Sequence, residues 1–200
     1  MVSEKRIYAE GGGDSKEMHA RCREGFRKLL EKSGFTGRVP RIVACGGRND
    51  ALDAFKTAHT GSRDAYVALI VDSEDPVVDR EKPWEHLAVR DRWERPDGAR
   101  DDQVFLMTTC METWILADRA GLKKHYGSRL QESALPSDTD RENRPRHNVQ
   151  DSLMRATAKC TNAYAKNKRS FDALAAVDPA VLESKLPAFA RMRRILNEKL

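Results

Sequence analysis

The sequence predicts an α/β protein: a parallel sheet flanked by helices, with a helical extension at its C-terminal end. Three observations predict it. Apolar runs at 5–9, 41–45, 66–71 and 104–107 have the length and content of buried strands. Helical stripes separate the first three runs, giving β-α-β-α-β order. The third run, Tyr66 to Val71, is apolar almost throughout, as central parallel strands are.

The helices follow from spacing. Met18, Cys22, Phe26, Leu29 and Leu30 recur on one face of a helix over 15–33, with Asp14 or Ser15 as its cap and Gly34 as its end. A second helix runs from about Asn49 to His59, after Gly46 and Gly47. Residues 75–102 break the pattern with Pro76, Pro83 and Pro96, and with Trp84, Leu87 and Trp93 as apolar anchors. A stretch of this length reads as a lid or as an insertion carrying a small helix. Met111, Trp114, Ile115 and Leu122 mark a further helical stripe, and 127–146 a charged loop with Pro136 and Pro145. Val149, Leu153, Ala156, Cys160 and Tyr164 predict one more helix, and Leu182, Leu186, Phe189, Met192 and Leu196 the last. The expected organisation is an α/β domain over 1–125 and a helical, basic extension over 126–200 packed on it.

Composition excludes several classes. The 200 residues are 40% hydrophobic and 34% charged, which suits a globular chain. No apolar run approaches the ~18 residues of a membrane span, and Met1 to Arg6 lacks a signal-peptide core. A cytoplasmic protein without a membrane partner is expected. Cys22, Cys45, Cys110 and Cys160 lie far apart and are read as buried or unpaired thiols. The five histidines form no ligand pair at helical spacing and take no catalytic role. Residues 141–200 hold 13 Lys/Arg against 6 Asp/Glu, and the remainder 23 against 25. The positive excess therefore lies wholly in the last 60 residues, where it either attracts a polyanion or solvates helix surfaces.

The chemistry concentrates at strand ends. Glu10 follows the first strand and precedes Gly11, Gly12 and Gly13; Asp72 and Glu74 follow the third. Ligands of open parallel sheets bind at the C-terminal strand ends. Alternation sets Asp72 and Glu74 on one side and Ser73 on the other. Three hard oxygen donors suit Mg²⁺ or Mn²⁺ and not zinc. Gly11 and Gly12, with the helix N-terminus behind them, are candidate phosphate binders, as is Arg48 after Gly46 and Gly47. The chain has no Walker A loop. Glu112, in the first turn of its helix, is a further candidate ligand or water-orienting base; its ordinary alternative is an acid favoured by a helix N-terminus. Asp118 is read as structural. Lys166 is a candidate for steadying charge on a transferring phosphoryl group; its alternative is a cation near a helix C-terminus.

These residues carry a resemblance. The stretches Tyr8-Ala9-Glu10-Gly11, Gly46-Gly47-Arg48, Val71-Asp72-Ser73-Glu74, Asp102 to Met107, Met111 to Asp118 and Tyr164-Ala165-Lys166 resemble a Toprim-like family of unknown function. That family is related to RloB-type proteins and to overcoming-lysogenization-defect nucleases. Met111-Glu112-Thr113-Trp114-Ile115-Leu116-Ala117-Asp118 is the most specific stretch. Glu74 stands where the general Toprim pattern has Asp. The resemblance implies a Toprim-like sheet and Mg²⁺-dependent cleavage of phosphodiester bonds in DNA or RNA. It implies Glu10, Asp72 and Glu74 as metal ligands, and a separately encoded ATPase partner in a phage-defence system. The rival expectation is a non-catalytic module that binds nucleic acid or the ATPase.

Overall fold

The computed structural model describes residues 4–61 and 65–200. Four strands form one parallel sheet: β1 (Arg6–Ala9), β2 (Arg41–Ala44), β3 (Val67–Asp72) and β4 (Val104–Met107). Their spatial order is β2-β1-β3-β4. Register pairs Ala9 with both Ala44 and Ile70, and Asp72 with Met107. The chain moves outward from β1 to β2, then returns past β1 to β3 and on to β4. Right-handed crossovers place the helix of the first connection on one face and those of the next two on the other.

The core obeys this rule. One face holds Ile7, Ala9, Ala68, Ile70, Phe105 and Met107 against α1 (Lys16–Leu30). The other holds Tyr8, Leu69, Val71 and Leu106 against α2 (Arg48–Gly61) and α3 (Pro83–Asp91). Alternation along each strand supplies both faces. The insertion anchors Trp84, Leu87 and Trp93 are all buried. The four cysteines are free thiols.

The C-terminal stretch does not form a separate core. After α4 (Met111–Ala117) and α5 (Arg119–Tyr126) come α6 (Arg146–Thr157), α7 (Ser170–Ala176), α8 (Pro179–Lys185) and α9 (Pro187–Lys199). Leu153, Phe171, Leu182 and Phe189 belong to the same apolar cluster as Ile7 and Phe26. Among the described residues, no helix is long and apolar enough to cross a membrane.

Three helical expectations are corrected, and one helix was not expected. The stripe from Met111 to Leu122 is two helices, broken at Asp118, whose carboxylate accepts from Gly121 N (2.9 Å) and Asp178 N (2.8 Å). The helix expected to reach Tyr164 stops at Thr157, because Thr157 Oγ1 accepts from Tyr164 N (3.0 Å) and folds the chain back. Pro187 divides the last stripe into α8 and α9, since it begins a helix but cannot continue one. The short α7 is absent from the sequence reading. At the other end, α1 begins as expected: Ser15 Oγ accepts from Met18 N (3.1 Å). Gly34 adopts φ +94° in the turn that ends it.

The α1–α7 contact rests on one glycine. A Cβ at Gly25 would lie 2.8 Å from Phe171 O and 2.9 Å from Phe171 Cβ. Gly→Ala in a helix ordinarily stabilises by about 1 kcal/mol. At Gly25 the sign should reverse, with Gly25→Ala costing roughly 1–3 kcal/mol by overpacking. Urea denaturation of the two proteins measures it, and a gain in stability would mean that the two helices can part freely.

Candidate metal centre

The site stands where the winding reverses. Glu10 directly follows β1 and Asp72 ends β3, so the two acids leave adjacent central strands at their C-terminal ends. Glu10 N donates to Ile70 O (2.9 Å), which extends the ladder by one residue and fixes where the Glu10 side chain departs. Glu10 Oε2 accepts from Asp72 N (3.0 Å), and Asp72 Oδ1 accepts from Met111 N at the start of α4 (2.8 Å). Among the described residues, Glu10 Oε1 and Asp72 Oδ2 have no hydrogen-bond partner.

Glu74 completes the cluster. One carboxylate oxygen from each of Glu10, Asp72 and Glu74 lies within 4.8 Å of the others. Glu74 adopts φ +67°, and its N–H donates to Thr109 O (2.8 Å). Its carboxylate pairs with Arg146 of α6 and with Arg90 of α3 (3.5 Å). Glu74 is thus less free than Glu10 and Asp72.

A cleft of about 320 Å³ opens over Glu10 and Asp72, while Glu74 is not among the residues that line it. Glu10, Asp72, Glu112, Lys166, Asn167 and Ser170 are among the residues that line it. Glu112 is only 2% exposed. Tyr164 Oη donates to its Oε1 and Gln150 Nε2 to its Oε2 (3.3 Å). A buried carboxylate with both oxygens engaged is held in one orientation. Lys166 is exposed and lies in the loop between α6 and α7, well beyond the helix end once expected beside it.

The phosphate-binding expectations need correction. Gly11 lines the cleft, but its N–H is already donated to Gly46 O (2.8 Å), and Gly46 N donates back to Gly11 O (3.0 Å). Gly12 is buried, with His19 Cα and Met18 O close to where its Cβ would stand. Arg48 does not line the cleft. It pairs with Asp91 (2.6 Å), lies 3.4 Å from Glu10 Oε2, donates to Asp72 O and stacks over Trp93. Its role here is to hold the two acid-bearing loops together. Two histidines act likewise: His19 Nε2 bonds to Gly13 O (2.6 Å) and His86 Nε2 to Ser73 O (2.9 Å).

The basic C-terminal stretch is also largely committed. Arg146, Lys185, Arg191, Arg194 and Lys199 pair with Glu74, Asp138, Glu81, Glu81 and Asp102. Much of the charge asymmetry is therefore neutralised within the fold. Lys159, Lys166 and Lys168 form no ion pair among the described residues. Arg90, Arg146, Gln150, Asn167 and Ser170 were not found from sequence, because nothing in their local spacing distinguishes them.

The family can now be placed. A domain family described as a domain of unknown function, DUF4276, matches residues 9–197. The chain belongs to the DUF4276 family. No curated protein and no solved structure matches it.

Electrostatics gives the donor set its meaning. Burial raises Asp72 well above the usual carboxylate range, and the charges of Glu10 and Glu112 raise it further. Burial also raises Glu10, opposed by Arg48 and by the Asp72 N–H. An all-oxygen set with unpartnered oxygens and a surplus of negative charge fits a hard divalent cation.

A linkage prediction follows. A carboxyl whose pKa is raised by folding binds more protons folded than unfolded. The metal-free protein then loses stability as pH rises from about 4, the unfolded carboxyl value, through the folded one. Asp72→Asn removes that cost and keeps an acceptor for Met111 N. It should melt higher than wild type at pH 7 without metal, by roughly 2–4 °C for each ~1 kcal/mol gained. It should also lose the rise in melting temperature that Mg²⁺ gives wild type. A melting temperature for Asp72→Asn below that of the metal-free wild type would count against the buried-charge account.

Proposed function

We propose that this protein is a divalent-cation-dependent phosphodiester hydrolase acting on nucleic acid. One observation carries the reading: Glu10 and Asp72, each with one carboxylate oxygen free of a hydrogen-bond partner among the described residues, bring carboxylate oxygens within 4.8 Å of each other at the β1/β3 switch point, in a cleft that also holds Glu112 and Lys166. Glu10 and Asp72 would hold Mg²⁺ or Mn²⁺, with Glu74 joining once it leaves its arginines. Such an ion supplies Lewis acidity and a lowered pKa for bound water. Glu112, fixed by Tyr164 and Gln150, orients the attacking water. Lys166 offsets the negative charge that develops on the phosphoryl oxygens. The Toprim-like resemblance supports the same chemistry and adds a separately encoded ATPase as partner in phage defence.

A non-catalytic module that binds nucleic acid or the ATPase is the second reading. The ion pairs that hold Glu74 favour it, since they tie down one of the three candidate ligands.

Cleavage decides between them. With Mg²⁺ or Mn²⁺, and with the partner ATPase present, wild type should cut DNA or RNA, and chelation should stop it. Glu10→Gln should lower the rate at least a hundredfold, as loss of a charge-stabilising group in an enclosed site does. Folding should be retained, because Glu10 stands at a strand end. Equal cutting by wild type and Glu10→Gln would remove the catalytic assignment. Binding without cutting by both would favour the module.

A further inference from the structure

The loop that enters α7 carries a polar group without a role. Ser170 lines the cleft and is 1% exposed, yet its Oγ has no hydrogen-bond partner. A hydroxyl buried unpaired loses its hydration with nothing in return, so such a group calls for an explanation. Its neighbours are equally uncommitted. The Lys166 ammonium forms no ion pair and the Asn167 amide no side-chain hydrogen bond among the described residues. Asn167 lines the same cleft with φ +64°, a conformation that side chains seldom adopt and that Asn tolerates best. Three donors within five residues therefore line a cleft whose other wall is acidic: Glu10, Asp14, Asp72 and Glu112.

We infer that Lys166, Asn167 and Ser170 form an oxyanion subsite that receives the non-bridging oxygens of a substrate phosphate, across the cleft from the carboxylates that would hold the cation. The inference rests on the metal-dependent reading above and gives the phosphate a place that Gly11, Gly12 and Arg48 do not offer. A hydroxyl, an amide and an ammonium can each donate to a phosphate oxygen. Without a cation, the four carboxylates opposite repel the same anion.

Inorganic phosphate is the probe. Isothermal titration of the full chain at saturating Mg²⁺ should show phosphate binding that weakens roughly tenfold or more in Ser170→Ala, as loss of a hydrogen bond to a charged group does. Lys166→Ala should weaken it too and reduce its salt dependence. Omitting Mg²⁺ should abolish binding in all three proteins. Ser170→Ala should melt no lower than wild type, because its hydroxyl has no partner to lose. Phosphate affinity unchanged in Ser170→Ala overturns the subsite, and so does a marked loss of stability, which would give the hydroxyl to the fold. If Mg²⁺ fails to raise the melting temperature of wild type, the metal centre fails and the subsite with it. If Mg²⁺ does so while phosphate ignores Ser170, the subsite alone falls. Ser170-dependent phosphate binding by a protein that cuts no nucleic acid would uphold the subsite and remove the nuclease reading.

Discussion

The structure around the strand ends depends on one constraint: Asp72 is buried beside three other carboxylates, Glu10, Glu74 and Glu112, and its charge must be compensated. Like charges in a low-dielectric interior repel strongly, and each also loses its hydration. The fold answers with fixed dipoles and cations from nearly every neighbouring element. The start of α4 gives Asp72 the Met111 N–H, the β3 backbone gives Glu10 the Asp72 N–H, and α2 gives Arg48. Glu74 takes Arg90 from α3 and Arg146 from α6. The remaining surplus still raises both Asp72 and Glu10. A site left with such a surplus is a costly feature for a fold to keep unless something cationic enters it.

The sheet was legible because its signals are local. Short apolar runs set all four strands within a residue or so, and Ser15, one of the two candidate caps, starts α1 through its own hydroxyl. Helix ends in the second half were not legible, because they are decided by tertiary contacts. Asp118 breaks the Met111–Leu122 stripe by capping toward Asp178, a partner 60 residues away. Thr157 turns the chain with one hydroxyl while the apolar periodicity runs on through Cys160 and Tyr164. Periodicity reports which side chains are buried and says nothing of where the backbone leaves the helix that buried them.

The candidate site divides in the same way. Glu10 and Asp72 were legible as acids at the ends of parallel strands, a position that topology alone makes significant. Glu112 entered through its place after the fourth strand. The groups that restrain these acids were hidden, since Arg90, Arg146 and Gln150 reach them from distant segments with no motif of their own, and Tyr164 was read as a helix-stripe residue and part of the resemblance but not as the partner of Glu112. Glycines misled in the opposite sense. Gly11 looked like a phosphate cradle, but its N–H serves the bridge to Gly46 that joins the β1–α1 connection carrying Glu10 to the β2–α2 connection. A glycine run after a strand signals close backbone approach, and here the approaching backbone is the protein's own.

These contacts bear on why the family extends over residues 9–197 and not over the sheet alone. The acidic side of the cleft comes from β1, β3 and α4, all before residue 118, while its cationic side comes from Lys166 to Ser170. Arg146 joins the two by pairing with Glu74, and Phe171 seats α7 on Gly25 of α1. The apolar core runs through both halves without a boundary. An acidic cluster at a sheet edge becomes a chemically selective cleft only when a second wall excludes water and supplies the opposite charge. In this chain the wall opposite the acids is folded from the last third of the sequence, so the segment that reads as a basic extension also lines the candidate cleft.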